Sequence, residues 1–366
     1  MAGLMSVSPT VGVIGGGIVG LSTAYALTEK GAQVTLFDPN PGEGQSAGES
    51  RIFRHQHEDA RLIGFAKRSR ELWAEWADRL GRQLISEGGS ILAGDDSLVR
   101  ARAKSLERLG IPYRILDRRQ QAEAFPQFGP ATDLALLDPG GGAIYAAEAV
   151  AALCGRIGRG LVAEPAGGCF EEDGHAVVVT GSSIREFDRV VIAAGDDTPA
   201  LAALVGIKIQ TETSWHARLG FPAREGAELP VRCLQDRSGA FGEKVYGAPE
   251  PGQGAFAIGL TGADVDLAVS AGGLIEDSTA LRSISARLQE YVHEAMPGLS
   301  PEPCGYRICR STSLPSGADD FSLWREGRFV AAAGGNLFKM APALGVALAD
   351  AALGEDVPDL WDESSA

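Results

Sequence analysis

The chain opens on a short apolar run, Val11 to Ile14, that meets a glycine cluster, after which the apolar positions take helical spacing through Ala24 and Leu27. That change of period reads as strand, turn and helix. Gly31 sits where a helix C-cap glycine belongs, and a second strand, Val34 to Phe37, ends at Asp38. Residues 62–80 carry apolar positions at helical spacing, 84–93 alternate like a strand, and 97–109 and 118–125 read as helices. The segment 146–158 is a strongly amphipathic helix, reached through the turn-rich LLDPGGGAIY. Short strands are predicted at 161–165, 175–180 and 184–187, and 188–201 reads as a buried strand ending in Ala194-Gly195 before a helix. From 207 to 260 the pattern favours strands, and 279–295 is helical. RFVAAAGGNLFKMAPALGVALADAALG is strand, glycine turn and helix, with Pro342 suited to the first helical turn.

Composition sharpens this picture at the glycines, which number 48 in 366 residues, about 13% against a usual value near 7%. Gly15, Gly17 and Gly20, with Ile18 and Val19 between them, form G-x-G-x-x-G at the first strand-to-helix crossover. The first glycine serves the tight turn, the second lets backbone approach a pyrophosphate, and the third packs helix on strand. Asp38 is placed to accept hydrogen bonds from a ribose. Strand, helix and acid in this order point to a dinucleotide-binding unit, without separating NAD from FAD.

Charge changes the picture next. There are 33 Lys and Arg against 48 Asp and Glu, a net charge of −15, which argues against a nucleic-acid or anionic-membrane binder. No apolar run approaches the roughly 18 residues of a membrane span. The N-terminal MAGLMSVSPT lacks the charged start and long apolar region of a secretory signal, so the chain is expected to be soluble and cytoplasmic. Against this acidic background Arg51, Arg54, His55, His57 and Arg61 gather after a Pro/Gly/Ser loop, either as a salt-bridged helix start or as an anion site beside the phosphate loop. Five cysteines without a C-x-x-C pair suit neither a disulfide framework nor a zinc site, and no metal is expected. His216 and His293 stand alone and read as structural.

The nucleotide-binding features recur at 10–54, 188–201 and 328–353. The predicted fold class is therefore α/β with an α+β substrate part: a discontinuous Rossmann-type domain over 1–84, 146–207 and 301–366, interrupted by an inserted strand-rich substrate domain over 85–145 and 208–300. Such an arrangement is frequent in FAD enzymes and unusual in NAD dehydrogenases.

The segments VIGGGIVGLSTAYALTEKGAQVTLFD, SRIFRH, VVIAAGDDTPAL, RICRSTS and GGNLFKMAPALG together resemble the FAD-dependent amine and amino-acid oxidoreductases of the D-amino-acid oxidase superfamily, nearest to the monomeric sarcosine oxidase and N-methyltryptophan oxidase branch. The resemblance spans nearly the full length and implies FAD as cofactor. It implies cofactor contacts from Gly15, Gly17, Ile18, Val19, Gly20, Asp38, Ser50, Arg51, Gly195, Gly335 and Lys339, and a thioether from Cys309 to the flavin 8α-methyl carbon. It further implies that Arg54 and Lys339 hold a substrate carboxylate, that Arg51 lies beside the flavin ring, and that Tyr246 is an active-site tyrosine. The implied activity is oxidation of the C–N bond of a carboxylate-bearing amine (a secondary amine, N-methyl or cyclic amino acid) to an imine, with oxygen as acceptor giving hydrogen peroxide. The implied partners are that small amine and molecular oxygen, in a monomer or small homo-oligomer. Four positions depart from the family: Ala257 stands for an oxygen-activating Lys, Thr261 and Ala47 for histidines, and Ser311 for a Tyr. The binding half of the site is kept and the oxygen half is altered, so a flavin dehydrogenase with another acceptor and a catalytically quiet flavoprotein are the alternative readings.

Overall fold

The computed structural model describes residues 8–355 and 357, apart from 130, 264–267, 271, 272, 276, 277 and 318. The chain divides into two compact units. The first comprises Met1–Ala47, Ala147–Thr213 and Thr312–Ala366, and the second Gly48–Ala146 and Ser214–Ser311. Residues 48–84 and 301–311, read from the sequence with the nucleotide-binding part, thus fall in the second unit. The reason is local: Ser50–Phe53 is a strand paired antiparallel with Gly142–Tyr145, so the basic segment is tied to the far side of the turn-rich crossing.

The first unit is built on a six-stranded sheet with Thr10–Ile14 near its centre, parallel to both Gln33–Phe37 and Arg189–Ile192. Phe329–Gly334 continues it in parallel, Phe321–Glu326 closes one edge antiparallel, and Leu161–Val162 forms the other edge. The central strand reads as an unbroken apolar run because Val11, Gly12, Val13 and Ile14 are all buried, as in parallel sheets generally. Its start is fixed by Asp188, whose Oδ2 accepts from the Thr10 N–H at 2.8 Å and its hydroxyl at 2.9 Å. The phosphate-loop helix Ile18–Glu29 lies against the C-terminal helix Ala341–Ala352. Gly345 allows that approach, since any side chain there would run into the Ser22 backbone. A small antiparallel sheet, Gly168–Glu172, His175–Val179 and Ile184–Phe187, completes the unit. Its first strand escaped the pattern because Phe170, Glu171 and Glu172 are all exposed, leaving Cys169 as the one buried side chain.

The second unit holds an eight-stranded sheet in the order Gly305–Ser313, Glu212–Pro222, Ala255–Leu260, Val245–Glu250, Cys233–Asp236, Ser90–Ala93, Leu134–Asp138 and Arg114–Asp117. The helix Ser278–Ala295 packs Ile284, Leu288, Tyr291 and Val292 into one core with Phe125, Phe221 and Phe256. The helix Ala60–Leu80 is bounded by Asp59, whose side chain accepts from the Arg61 N–H, and by Gly81 in the left-handed conformation. The alternation at 84–93 yields a strand only over Ser90–Ala93. Gly88-Gly89 breaks it, and the preceding residues bond instead to the strand at 142–145 through Leu84 O and the Ser86 N–H. No helix among the described residues is long and apolar enough to cross a membrane.

Candidate functional site

In the first unit the glycine turn is a cradle whose three glycines do different work. Gly15 has φ +103°, and a side chain there would collide with the Ala193 backbone; one at Gly20 would meet the Gly15 carbonyl. Gly17 differs, because its backbone is ordinary extended chain (φ −69°, ψ 175°) at the helix N-cap and the nearest atom to an added methyl would be Ser46 Oγ at 3.3 Å. Its replacement would leave the fold intact and fill the cradle. The helix has no acid in its first turn, and the Ile18 N–H donates to Ser46 Oγ at 2.8 Å. Helix dipole, small residues and open backbone suit a pyrophosphate. Asp38 Oδ2 accepts from the Gly16 N–H at 2.6 Å and Oδ1 from the Asn40 N–H at 2.7 Å, so the acid first braces the glycine turn, with carboxylate lone pairs left for a ribose. Gly195, at φ +62°, follows the strand Arg189–Ile192 on the same sheet, beside Gln45. The residues present fit a dinucleotide such as FAD.

Lys339, in the short turn Leu337–Met340 between the last strand and the last helix, is 6% exposed. Its ammonium donates to Asp319 Oδ1 at 3.1 Å and to the Asn336 carbonyl at 3.2 Å, and Asn336 Nδ2 also donates to Asp319 Oδ1 at 2.9 Å. The anionic partner that this buried lysine demands is thus partly supplied from within the chain. Gly335, its N–H bonded to the Asp320 carbonyl, begins the turn. Asp319 was not singled out in the sequence, where it is one of two adjacent acids in a loop.

In the second unit Ser50, Arg51 and Arg54 sit on or just after the strand Ser50–Phe53. Arg51 Nη1 donates to the Ser50 carbonyl at 2.8 Å. Burial lowers its guanidinium pKa to about 10, with the neighbouring charge of Arg218 pushing the same way and Cys309 opposing. Gly48, at φ +120°, leaves space for Arg51 Nη1 and Arg307 Nε, which would lie 3.0 and 3.4 Å from any added methyl. Arg54 Nη1 donates to the Gln56 carbonyl at 2.5 Å and lies 3.3 Å from His57 Nδ1. The turn carrying it is fixed by buried Asp138, which accepts from the N–H groups of His55, Gly140 and Gly141 and pairs with the His55 ring at 3.0 Å.

Tyr246 stands on Val245–Glu250 across from Gly259, where only glycine leaves room for its ring, and meets His216 edge to face at 6.2 Å. Ala257 is opposite Ala248 on one side and Gly220 on the other. Cys309 is half-buried on Gly305–Ser313. Of its flanking arginines, Arg307 lies towards Arg51, while Arg310 covers the Trp215 ring at 5.5 Å. All five cysteines are free. Burial pushes the Cys169 thiol up to about 11 and Cys233 higher still, so both are expected to resist alkylation in the folded protein. Exposed Cys304 is expected to react, as read by mass spectrometry after iodoacetamide treatment. The structure therefore gathers Ser50, Arg51 and Cys309 into one neighbourhood and adds Arg218, which sequence reading missed because one arginine in an alternating strand looks like a solvated position.

The FAD dependent oxidoreductase profile matches residues 10–351, and the chain belongs to that family of FAD-dependent oxidoreductases. Among its relatives, the human peroxisomal sarcosine oxidase is 27% identical over 357 residues, covering 91% of this chain and 89% of the relative. A D-amino acid dehydrogenase of Sinorhizobium medicae is 27% identical over 298 residues, covering 62% and 70%. Among solved structures, NikD, an unusual amino acid oxidase essential for nikkomycin biosynthesis, superposes with a TM-score of 0.78 at 22% identity over 98% and 97% of the two chains. The fold is thereby the one expected from the sequence.

Proposed function

We propose that this enzyme oxidises the C–N bond of a small carboxylate-bearing amine, such as an N-methyl or cyclic amino acid, to an imine. In the overall balance CH–NH and O2 become C=N and H2O2, the imine then being hydrolysed by water. The observation that carries the reading is the dinucleotide cradle built by Gly15, Gly17, Gly20 and Asp38 in a chain of the FAD-dependent oxidoreductase family. The human sarcosine oxidase and NikD, by their names, act on substrates of this class. FAD, when bound, supplies the acceptor for the hydride equivalent from the carbon beside the amine nitrogen. The residues of this chain bind and orient. The helix N-terminus after Gly17 holds the pyrophosphate and Asp38 the ribose, while Arg54 gives a planar fork and Lys339 a point charge for the carboxylate. Tyr246 forms a wall of the pocket, and Cys309 is the point of flavin attachment.

A panel of N-methyl and cyclic amino acids tests this reading by peroxide release in air and by flavin bleaching without air. Bleaching by at least one member with peroxide on readmission of air is the expected result; an unbleached flavin across the panel overturns it. Bleaching without peroxide favours the second reading, a dehydrogenase, for which Ala257 and the D-amino acid dehydrogenase relative speak. For the attachment, flavin is expected to stay with acid-denatured wild type and to be released from Cys309→Ser. Free flavin in the wild-type supernatant would refute the bond.

A further inference from the structure

Gln235, on the strand Cys233–Asp236, is 6% exposed. Its neighbours along the strand face the helix Ser278–Ala295: Leu234 shares a core with Leu288 and Tyr291, and Asp236 accepts from the Tyr291 hydroxyl at 2.9 Å. Alternation along the strand therefore turns Gln235 to the opposite face of the sheet. There it lies between its two directly opposed partners, Leu92 of Ser90–Ala93 and Tyr246 of Val245–Glu250. Opposed side chains of an antiparallel pair, such as Gln235 and Tyr246, start about 4.5–5.5 Å apart and share a face.

The two sides of Gln235 differ. Leu92 is taken up in an apolar cluster with Ile63, Val99 and Leu136. Tyr246 leans away from Gln235, its hydroxyl end lying over Gly259 on the next strand, where any added side chain would strike it. A glutamine amide has two N–H donors and an acceptor, and when buried it normally uses them within the fold. Gln121 does so: 3% exposed, it donates to the Leu116 and Thr132 carbonyls at 3.3 and 3.1 Å. The Gln235 amide makes no hydrogen bond to any described residue. A polar group held this far from water without an internal partner calls for one from outside the chain.

We propose that Gln235 determines substrate specificity by hydrogen-bonding a neutral polar group, a hydroxyl or a carboxamide, on the side chain of the amine that is oxidised. The inference rests on the amine reading above, in which Tyr246 is a wall of the pocket, and it names the substrate class within that reading. An amide both donates and accepts, which matches a group that does the same. Neither Leu92 nor Tyr246 brings a cation or a carboxylate to this position to pair with an ionic side chain, and an unpaired charge is costly to bury.

Two measurements on the holoenzyme test this. The first needs no substrate: Gln235→Met, which keeps the length of the side chain and removes the amide, is expected to leave the thermal midpoint unchanged or raised, because no internal hydrogen bond is lost. A fall of about 2 °C or more would show that the fold itself uses the amide, and would overturn the proposal. The second is anaerobic flavin reduction at increasing concentrations of N-methylserine against N-methylalanine and of 4-hydroxyproline against proline, each as both enantiomers, which yields a dissociation constant and a limiting rate. Wild type is expected to bind the hydroxylated member of at least one pair roughly 5- to 150-fold more tightly, and Gln235→Met to lose that preference with the limiting rate little changed. Gln235→Leu carries the test if Gln235→Met does not fold, and failure of both to fold would overturn the proposal. No preference in wild type, or the same preference in the variant, overturns the role of Gln235 while the amine reading stands. A panel that reduces the flavin of neither protein overturns the amine reading and, with it, the substrate class.

Discussion

Gly17→Leu is expected to give a folded, colourless protein. The backbone at Gly17 is in a conformation any residue adopts, and the space beside it is open apart from Ser46 Oγ, so the side chain enters the cradle rather than the core. A leucine there keeps a pyrophosphate from the helix N-terminus and removes charge-assisted hydrogen bonds worth about 1.5–3 kcal/mol each. Loss of two such bonds weakens FAD by roughly 150- to 20,000-fold. Flavin absorbance after purification and the circular dichroism spectrum check the two halves of the expectation. A yellow, folded Gly17→Leu protein would move the cofactor elsewhere. Gly20→Leu serves as the contrast: its side chain has nowhere to go but the Gly15 carbonyl, so it is expected to damage folding itself.

The second large effect is expected at Arg54 and Lys339, the groups proposed to hold the substrate carboxylate. Arg54→Met should raise the substrate dissociation constant roughly 10- to 150-fold, the cost of one charge-assisted interaction of about 1.5–3 kcal/mol, while the flavin spectrum barely moves. Lys339 obeys a different rule, because Asp319 already shares its charge at 3.1 Å. Lys339→Met should weaken binding in the same direction, and Asp319→Asn, by releasing the ammonium, should tighten it. Anaerobic titration followed by flavin absorbance measures all three constants. If Asp319→Asn lowers the thermal midpoint and leaves affinity unchanged, the pair is a buried structural ion pair and Lys339 does not meet substrate.

The nucleotide half of the site was legible in the sequence because its signals are local. The switch from continuous apolar residues to helical spacing, the three glycines and Asp38 all lie within one βαβ unit, and Gly15, Gly20 and Asp38 each answer a nearby steric or hydrogen-bonding demand. The second unit was harder to read because its chemistry depends on which strand lies beside which. Arg218 reaches the Ser50 carbonyl across 168 positions of sequence, a proximity set by the tertiary fold and not by any local pattern. Ala257 shows the same limit. Counting along one strand leaves Ala257 without a cation, whereas the register places the Arg218 strand directly alongside it. The strand at Ser50–Phe53 was hidden for a related reason, since arginines at its second position and just beyond its end mask an apolar pair, Ile52 and Phe53.

The order in which the sheet of the first unit is completed bears on how the protein is made. Thr10–Ile14 and Gln33–Phe37 leave the ribosome early, but Arg189–Ile192 pairs in parallel with Phe329–Gly334, and the phosphate-loop helix is covered by Ala341–Ala352. Nascent chain ending before those last elements leaves the buried face of the first helix exposed and its sheet without Phe329–Gly334. The first unit is therefore completed only once Ala341–Ala352 has been synthesised, and a long-range closure of this kind is slow. A chain clipped ahead of Phe329 is accordingly expected to lack a completed cradle and to purify without flavin.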